Sequence, residues 1–168
     1  MTINGADGTK VTETMNGNAG AKIDVTCKDG ATYTQTSNAA GTTIQGTDAK
    51  GNKVNETMGA GAVSEADLGV PFYPGSEESK DAGLTMISQG PTGKTAMSSR
   101  VSKDAPSKVI DFYKDKIPGG KAASMAIGEG SMSSISGKLA NGAQVSVTAT
   151  NDGKKDTVVM VSSTTPKS

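Results

Sequence analysis

Catalysis needs a nucleophile, an acid–base pair or a set of metal ligands, and this chain offers few residues for any of them. It contains no His, so neither a Ser-His-Asp nor a Cys-His mechanism can be assembled, and metal sites built on His or paired Cys are excluded. Ser-Lys pairs and paired carboxylates remain. Ser102-Lys103 and Ser107-Lys108 are expected by chance in a chain this rich in Ser and Lys. Glu77 and Glu78 are adjacent, so in an extended segment they point to opposite sides. Asp111 and Asp115 lie beside Lys108 and Lys114 as a solvated helical surface does. Gly128-Glu-Gly130 lacks the Lys-Ser/Thr and the following helix of a phosphate loop and reads as a turn or bulge. Cys27 has no partner for an internal disulfide and reads as a small buried apolar residue. The turns Asp48-Ala-Lys-Gly-Asn52 and Asn151-Asp-Gly153 carry oxygen ligands without EF-hand spacing. No catalytic residue, cofactor or metal site is therefore assigned, and a non-enzymatic role is expected.

The elements that carry these residues begin with a repeat. Asp7-Gly-Thr-Lys-Val-Thr-Glu-Thr-Met15 returns as Lys50-Gly-Asn-Lys-Val-Asn-Glu-Thr-Met58, with a divergent copy, Asp29-Gly-Ala-Thr-Tyr-Thr-Gln-Thr-Ser37, between them. The period is roughly 21 residues, and no reactive group recurs in it, which describes a scaffold or a surface. Apolar residues keep one parity within each segment: Val11 and Met15; Ile23, Val25 and Cys27; Tyr33; Ile44; Val54 and Met58. The opposite parity is polar, and between segments stand the Gly, Asn and Asp of tight turns. Five strands of about six residues are expected as an antiparallel meander over residues 1–62, two strands per repeat. One face is thinly apolar and must be covered by the rest of the chain, by a second copy or by the sheet rolling on itself. The other face carries Thr12, Thr14, Thr32, Thr34, Thr36, Thr43, Thr47 and Thr57, a candidate contact surface for a glycan, a peptide or ice.

Small residues over 63–68 read as a linker, and 69–168 as a second unit. There, 83–89 and 94–101 read as a hairpin, followed by one helix with Asp104 as N-cap and Pro106 in its first turn. Val109, Ile110, Phe112, Tyr113 and Ile117 form its apolar stripe, and Pro118-Gly119-Gly120 ends it. Strands are expected near 121–128, 131–139, 143–149 and 156–163, with Asn141-Gly142 as a hairpin turn. Phe72, Tyr73, Phe112 and Tyr113 read as core, since they are nearly all of the aromatic mass available to this unit. The fold class is α+β, mostly β: a repeat meander plus a β-β-α-β-β-β-β domain with one helix on an antiparallel sheet.

Val70-Pro-Phe-Tyr-Pro-Gly75, followed by Ser102-Lys-Asp-Ala-Pro-Ser-Lys-Val-Ile-Asp-Phe-Tyr-Lys-Asp-Lys-Ile117, resembles a pattern in uncharacterised bacterial exported proteins and lipoproteins. In those, a P-x-Y-P-G segment precedes a helix opened by D-x-P-x-x-V-x-x-F-Y. The resemblance spans about residues 69–163 and implies an envelope location and a small sheet-and-helix domain; it transfers no catalytic residue.

Composition supports an interaction protein. Lys plus Arg equals Asp plus Glu at 17 each, and neither part of the chain has the basic field that nucleic acid or anionic lipid requires. No apolar run is long enough for a membrane span, and Met1-Thr-Ile-Asn-Gly-Ala-Asp-Gly has neither the basic nor the apolar region of a signal peptide, though the abundance of Ser, Thr, Gly and Asn suits an exported protein. The expected function is structural, at the cell surface, in the periplasm or outside the cell. The expected partner is a second copy of the chain engaged through the repeat sheet; the alternative is a ligand-binding module using the Thr-rich face or a groove beside the helix.

Overall fold

The computed structural model describes residues 1–15, 17, 20–79, 85–153 and 156–167. Its strands are β1 (Thr2–Asn4), β2 (Lys10–Met15), β3 (Ala21–Thr26), β4 (Thr32–Asn38), β5 (Gly41–Thr47), β6 (Lys53–Met58), β7 (Glu77–Glu78), β8 (Met86–Gly90), β9 (Gly93–Ser102), β10 (Lys121–Ile127), β11 (Gly130–Lys138), β12 (Gln144–Asn151) and β13 (Thr157–Pro166). Two helices are present, α1 (Glu65–Leu68) and α2 (Pro106–Lys114). All thirteen strands join one antiparallel sheet in the order β1-β2-β3-β4-β5-β6-β8-β9-β13-β12-β11-β10, with β7 pairing β9 off this path.

The five repeat strands appear as β2 to β6, and the short β1 adds a sixth strand that the apolar alternation does not signal. One turn recurs in all three copies. Gly8, Gly30 and Gly51 have φ of 89°, 88° and 81°, a left-handed conformation that a side chain penalises. In each copy an Asp beside the turn accepts a backbone N–H: Asp7 from Thr9, Asp29 from Ala31, and Asp48 from Lys50 and Asn52. The same geometry closes β11 to β12 at Gly142, φ 85°, so it is a general hairpin device of this sheet.

Of the 83–89 strand expectation, residues 83 and 84 lie outside the described residues, and β8 begins at Met86. Residues 63–68, expected as a linker, instead hold α1. The Ser64 hydroxyl accepts the Asp67 N–H while the Asp67 carboxylate accepts from the Ser64 backbone, a reciprocal cap that sustains one helical turn. Leu68 is fully buried and Val63 nearly so, which anchors the turn on the sheet. Among the described residues there are thus two helices rather than the one expected. The N-cap of α2 is Ala105, without a side-chain bond, rather than Asp104. The Asp104 carboxylate is engaged elsewhere, by Tyr73 Oη at 2.7 Å and Lys108 Nζ at 2.8 Å.

The core lies between the helices and one side of the C-terminal strands. Ala96, Ile135, Val145, Val147, Ala149, Val159 and Val161 pack against Leu68, Val109, Ile110, Tyr113 and Ile117. Each fully buried aliphatic side chain contributes about 1.5–3 kcal/mol. Tyr73, Phe112 and Tyr113 stack edge to face at centroid distances of 5.5 and 5.0 Å, and Arg100 lies 4.2 Å over the Phe72 ring. Among the described residues of 2–58 only Ala31 is buried. The repeat region is therefore a single layer, continuous with the packed sheet through the β6–β8 pairing.

Candidate functional site

Cross-strand register places every repeat side chain on one of two faces. The face that bears α2 farther along the sheet, here the helix face, takes all eight predicted threonines. One row runs Thr14, Lys22, Thr36, Thr43, Thr57 and then Ile87. A second runs Thr12, Asp24, Thr34, Gln45, Asn55, Gln89 and Lys94. A third carries Thr32 and Thr47 between Thr26 and Lys53. The structure thus gathers the predicted contact residues on a single surface, half-buried at most. Lys22 Nζ lies 2.8 Å from Asp24, and Thr34 Oγ1 donates to the same carboxylate at 2.7 Å. These two donors, Lys22 first, hold the Asp24 carboxyl below the usual carboxylate range.

Where this polar face meets α1 the surface steps up into a notch of about 840 Å³. Its lining includes Lys53, Asn55, Gln89, Lys94, Asp67 and Lys167. A shallower depression of about 580 Å³ over Thr32, Thr34, Gln45 and Thr47 shares Lys53 and Asn55 with it, so the two form one groove. Lys94 Nζ donates to Asp67 Oδ1 at the foot of the notch. That bond, with those from Ser64, lowers the Asp67 carboxyl to about 2.

The groups considered for catalysis are dispersed. The Ser102 hydroxyl accepts the Asp104 N–H, while Lys103 pairs with Asp156 at 2.7 Å. Lys114 pairs with Asp111 at 2.7 Å on the solvent side of α2. Glu77 and Glu78 fall on opposite faces in β7, and Glu78 accepts the Gly61 N–H at 2.9 Å. The Asp48 carboxylate is occupied by the N–H groups of its own turn, and Asn151 Oδ1 takes the Gly153 N–H. Cys27 is half-buried, not the fully buried small residue expected from its sequence context. Among the described residues no three His, Cys, Asp or Glu side chains cluster as metal ligands.

The opposite face carries what sequence reading missed. All eight methionines stand on it. Met15, Met58, Met86 and Met97 share one row, and Met125, Met132 and Met160 follow on the C-terminal strands. Met1 joins them by exchanging backbone hydrogen bonds with Glu13. Val11, Ile23, Val25, Tyr33, Ile44 and Val54 lie on this same open face, and the buried core contains no methionine. Parity within the repeats does flag Met15 and Met58. Linking them to Met86, Met97 and Met160 requires the β6–β8 and β9–β13 pairings, which no local pattern announces. No family model matches the chain, and no curated protein or solved structure matches it significantly.

Proposed function

We propose that the chain is a non-enzymatic structural protein of exported bacterial type that self-associates through the open face of its sheet. The observation that carries this reading is the segregation of all eight methionines, with the repeat aliphatics, onto the face opposite both helices. Methionine adapts its shape to a partner surface and is over-used where apolar faces must be covered. Among the described residues the six exposed large hydrophobics, Met1, Ile3, Met15, Met125, Ile127 and Met160, all belong to this face. With strands spaced ~4.8 Å apart and ~6 residues of ~3.3 Å each, the twelve strands of the main path present roughly 1,000 Å². A stable interface needs about 800 Å² per partner, so a second copy laid on this face suffices. Sedimentation velocity from micromolar to millimolar concentration tests the reading. Concentration-dependent dimers or larger species are expected, and Ile23→Lys with Ile44→Lys should return a folded monomer. A strict monomer throughout overturns it.

The groove on the helix face supports a second reading, a ligand-binding module for a glycan or peptide. Its continuity from Thr32 and Thr34 to Lys94 is the specific observation in favour. Thr34→Lys lies on the exposed layer and should spare folding while abolishing binding in a glycan array screen; unchanged array binding removes this reading.

A further inference from the structure

The row that crosses the seam between repeat and C-terminal strands holds three thioethers side by side. Met58 on β6 is the cross-strand partner of Met86 on β8, and Met86 is the partner of Met97 on β9. All three are half-buried on the open face. Adjacent strands lie ~4.8 Å apart, and Met is unbranched with three rotatable bonds. The two outer sulfurs can therefore swing inward and converge with the central one above Met86. Between Met15 and Lys121 this row contains no charged residue. On the same face the Glu56 carboxylate lies two residues from Met58 and accepts the Ser88 hydroxyl at 3.0 Å.

We propose that Met58, Met86 and Met97 form a binding site for a soft monovalent cation, Cu(I) or its closed-shell analogue Ag(I). Neutral thioether sulfur selects Cu(I), whereas Mg²⁺ and Ca²⁺ seek oxygen, and Zn²⁺ is held by thiolate, imidazole or carboxylate. Three convergent neutral donors leave the ion with its single positive charge, and Glu56 is placed to offset it. A thioether has no proton to lose, so binding at this site does not weaken toward mildly acid pH as thiolate and imidazole sites do. The site lies in the middle of the face proposed for self-association but does not require it.

The test uses the full chain carrying Cys27→Ser, which removes the competing thiol, at concentrations where it is monomeric. Ag(I) nitrate in chloride-free buffer, and Cu(I) kept reduced under nitrogen, are titrated while the methionine methyl resonances are followed by NMR. Saturation at one equivalent is expected, with the Met58, Met86 and Met97 methyls shifting together and Met125 unmoved. Affinity should be the same at pH 5 and pH 7.5, and Zn²⁺ should produce no shifts. Met86→Leu and Met97→Leu preserve volume and should each weaken Ag(I) binding at least tenfold without changing the thermal melt, whereas Met125→Leu should bind as the parent does. Shifts spread evenly over all methionines, absence of saturation, or full affinity in both Leu variants would overturn the proposal.

Discussion

Thr57 and Ile87 stand side by side on the helix face, paired across the β6–β8 seam. Thr57 belongs to the polar rows of the repeats, and Ile87 packs against the buried core. Over one strand spacing, about 4.8 Å, a single sheet surface passes from solvent to protein interior. The backbone ladder continues through this change without a break, so two energetic regimes share one hydrogen-bonded sheet. On the C-terminal side stability comes from side chains closed off by α1 and α2. In the repeat layer it comes from the ladder, the Asp-Gly turns and Thr and Val residues that suit an extended backbone.

Equivalent truncations should therefore have unequal costs in the two halves. Val147 is fully buried under α2, and Val147→Ala should destabilise the chain by about 2–3 kcal/mol, the sum of lost transfer energy and the cavity left behind. Val25 sits on the open face of the repeat layer, and Val25→Ala should cost about 0.5 kcal/mol or less in a monomer. Urea unfolding at low protein concentration measures both. Equal losses would mean that the repeat layer is covered in solution.

The Asp67–Lys94 contact joins α1 to β9 and has a predictable acid signature. Folding lowers the Asp67 carboxyl from 3.8 to about 2, chiefly through the Lys94 hydrogen bond. Ionised Asp67 thus favours the folded state fully above about pH 4, and the contribution fades as pH falls from 4 toward 2. Both side chains remain partly solvated, so the stabilisation is about 1 kcal/mol after screening. Asp67→Asn should lower the melting temperature by about 2–4 °C at pH 6 and by much less at pH 2, followed by circular dichroism. A difference that persists undiminished at pH 2 would remove the ionic basis of the contact.

Asp104 should behave as a partner of Tyr73 and not as a helix cap. Burial and the neighbouring Asp104 carboxylate push the Tyr73 hydroxyl up to about 12. In a double-mutant cycle, Tyr73→Phe and Asp104→Asn should couple by about 1 kcal/mol, the usual strength of a hydrogen bond to a charged group in a partly solvated site. A capping role for Asp104 instead makes the two losses additive.

This case also marks what can be read from the chain. The five repeat strands, the C-terminal meander and the helix stripe Val109, Ile110 and Tyr113 follow from local periodicity and turn residues, and they stand where that periodicity places them. Asp104 misleads because Asp before Pro is an ordinary helix start, while the position of Tyr73, thirty-one residues upstream, is a tertiary fact. Residues 63–68 look featureless because their small side chains hide a reciprocal cap between Ser64 and Asp67. All eight threonines are correctly assigned to one face, since parity is local. Which of the two faces receives the helices is not local. It depends on β6 pairing with β8, and only then does the Thr-rich face become continuous with the core and the apolar face stay open.

Glu13 and Lys138 offer the most direct examination of how a second copy would seat on that open face. They lie in one row across ten strands: Glu13, Ile23, Gln35, Ile44, Glu56, Ser88, Thr95, Thr164, Gln144 and Lys138. Glu13 is on β2, second from one edge of the sheet, and Lys138 is on β11, second from the other. A two-fold axis parallel to the strands, placed between β6 and β8, therefore sets Glu13 of each copy over Lys138 of its partner. Such an interface is isologous, so each dimer gains the pair twice. Glu13→Lys or Lys138→Glu alone should each weaken dimerisation about tenfold or more by opposing like charges, about 1.4 kcal/mol. The double exchange, Glu13→Lys with Lys138→Glu, should restore it, because the opposite charges again face each other. Sedimentation equilibrium of the four chains reads this out. Additive losses in the double variant would exclude this two-fold arrangement while leaving other ways of covering the face to be tested by the lysine substitutions at Ile23 and Ile44.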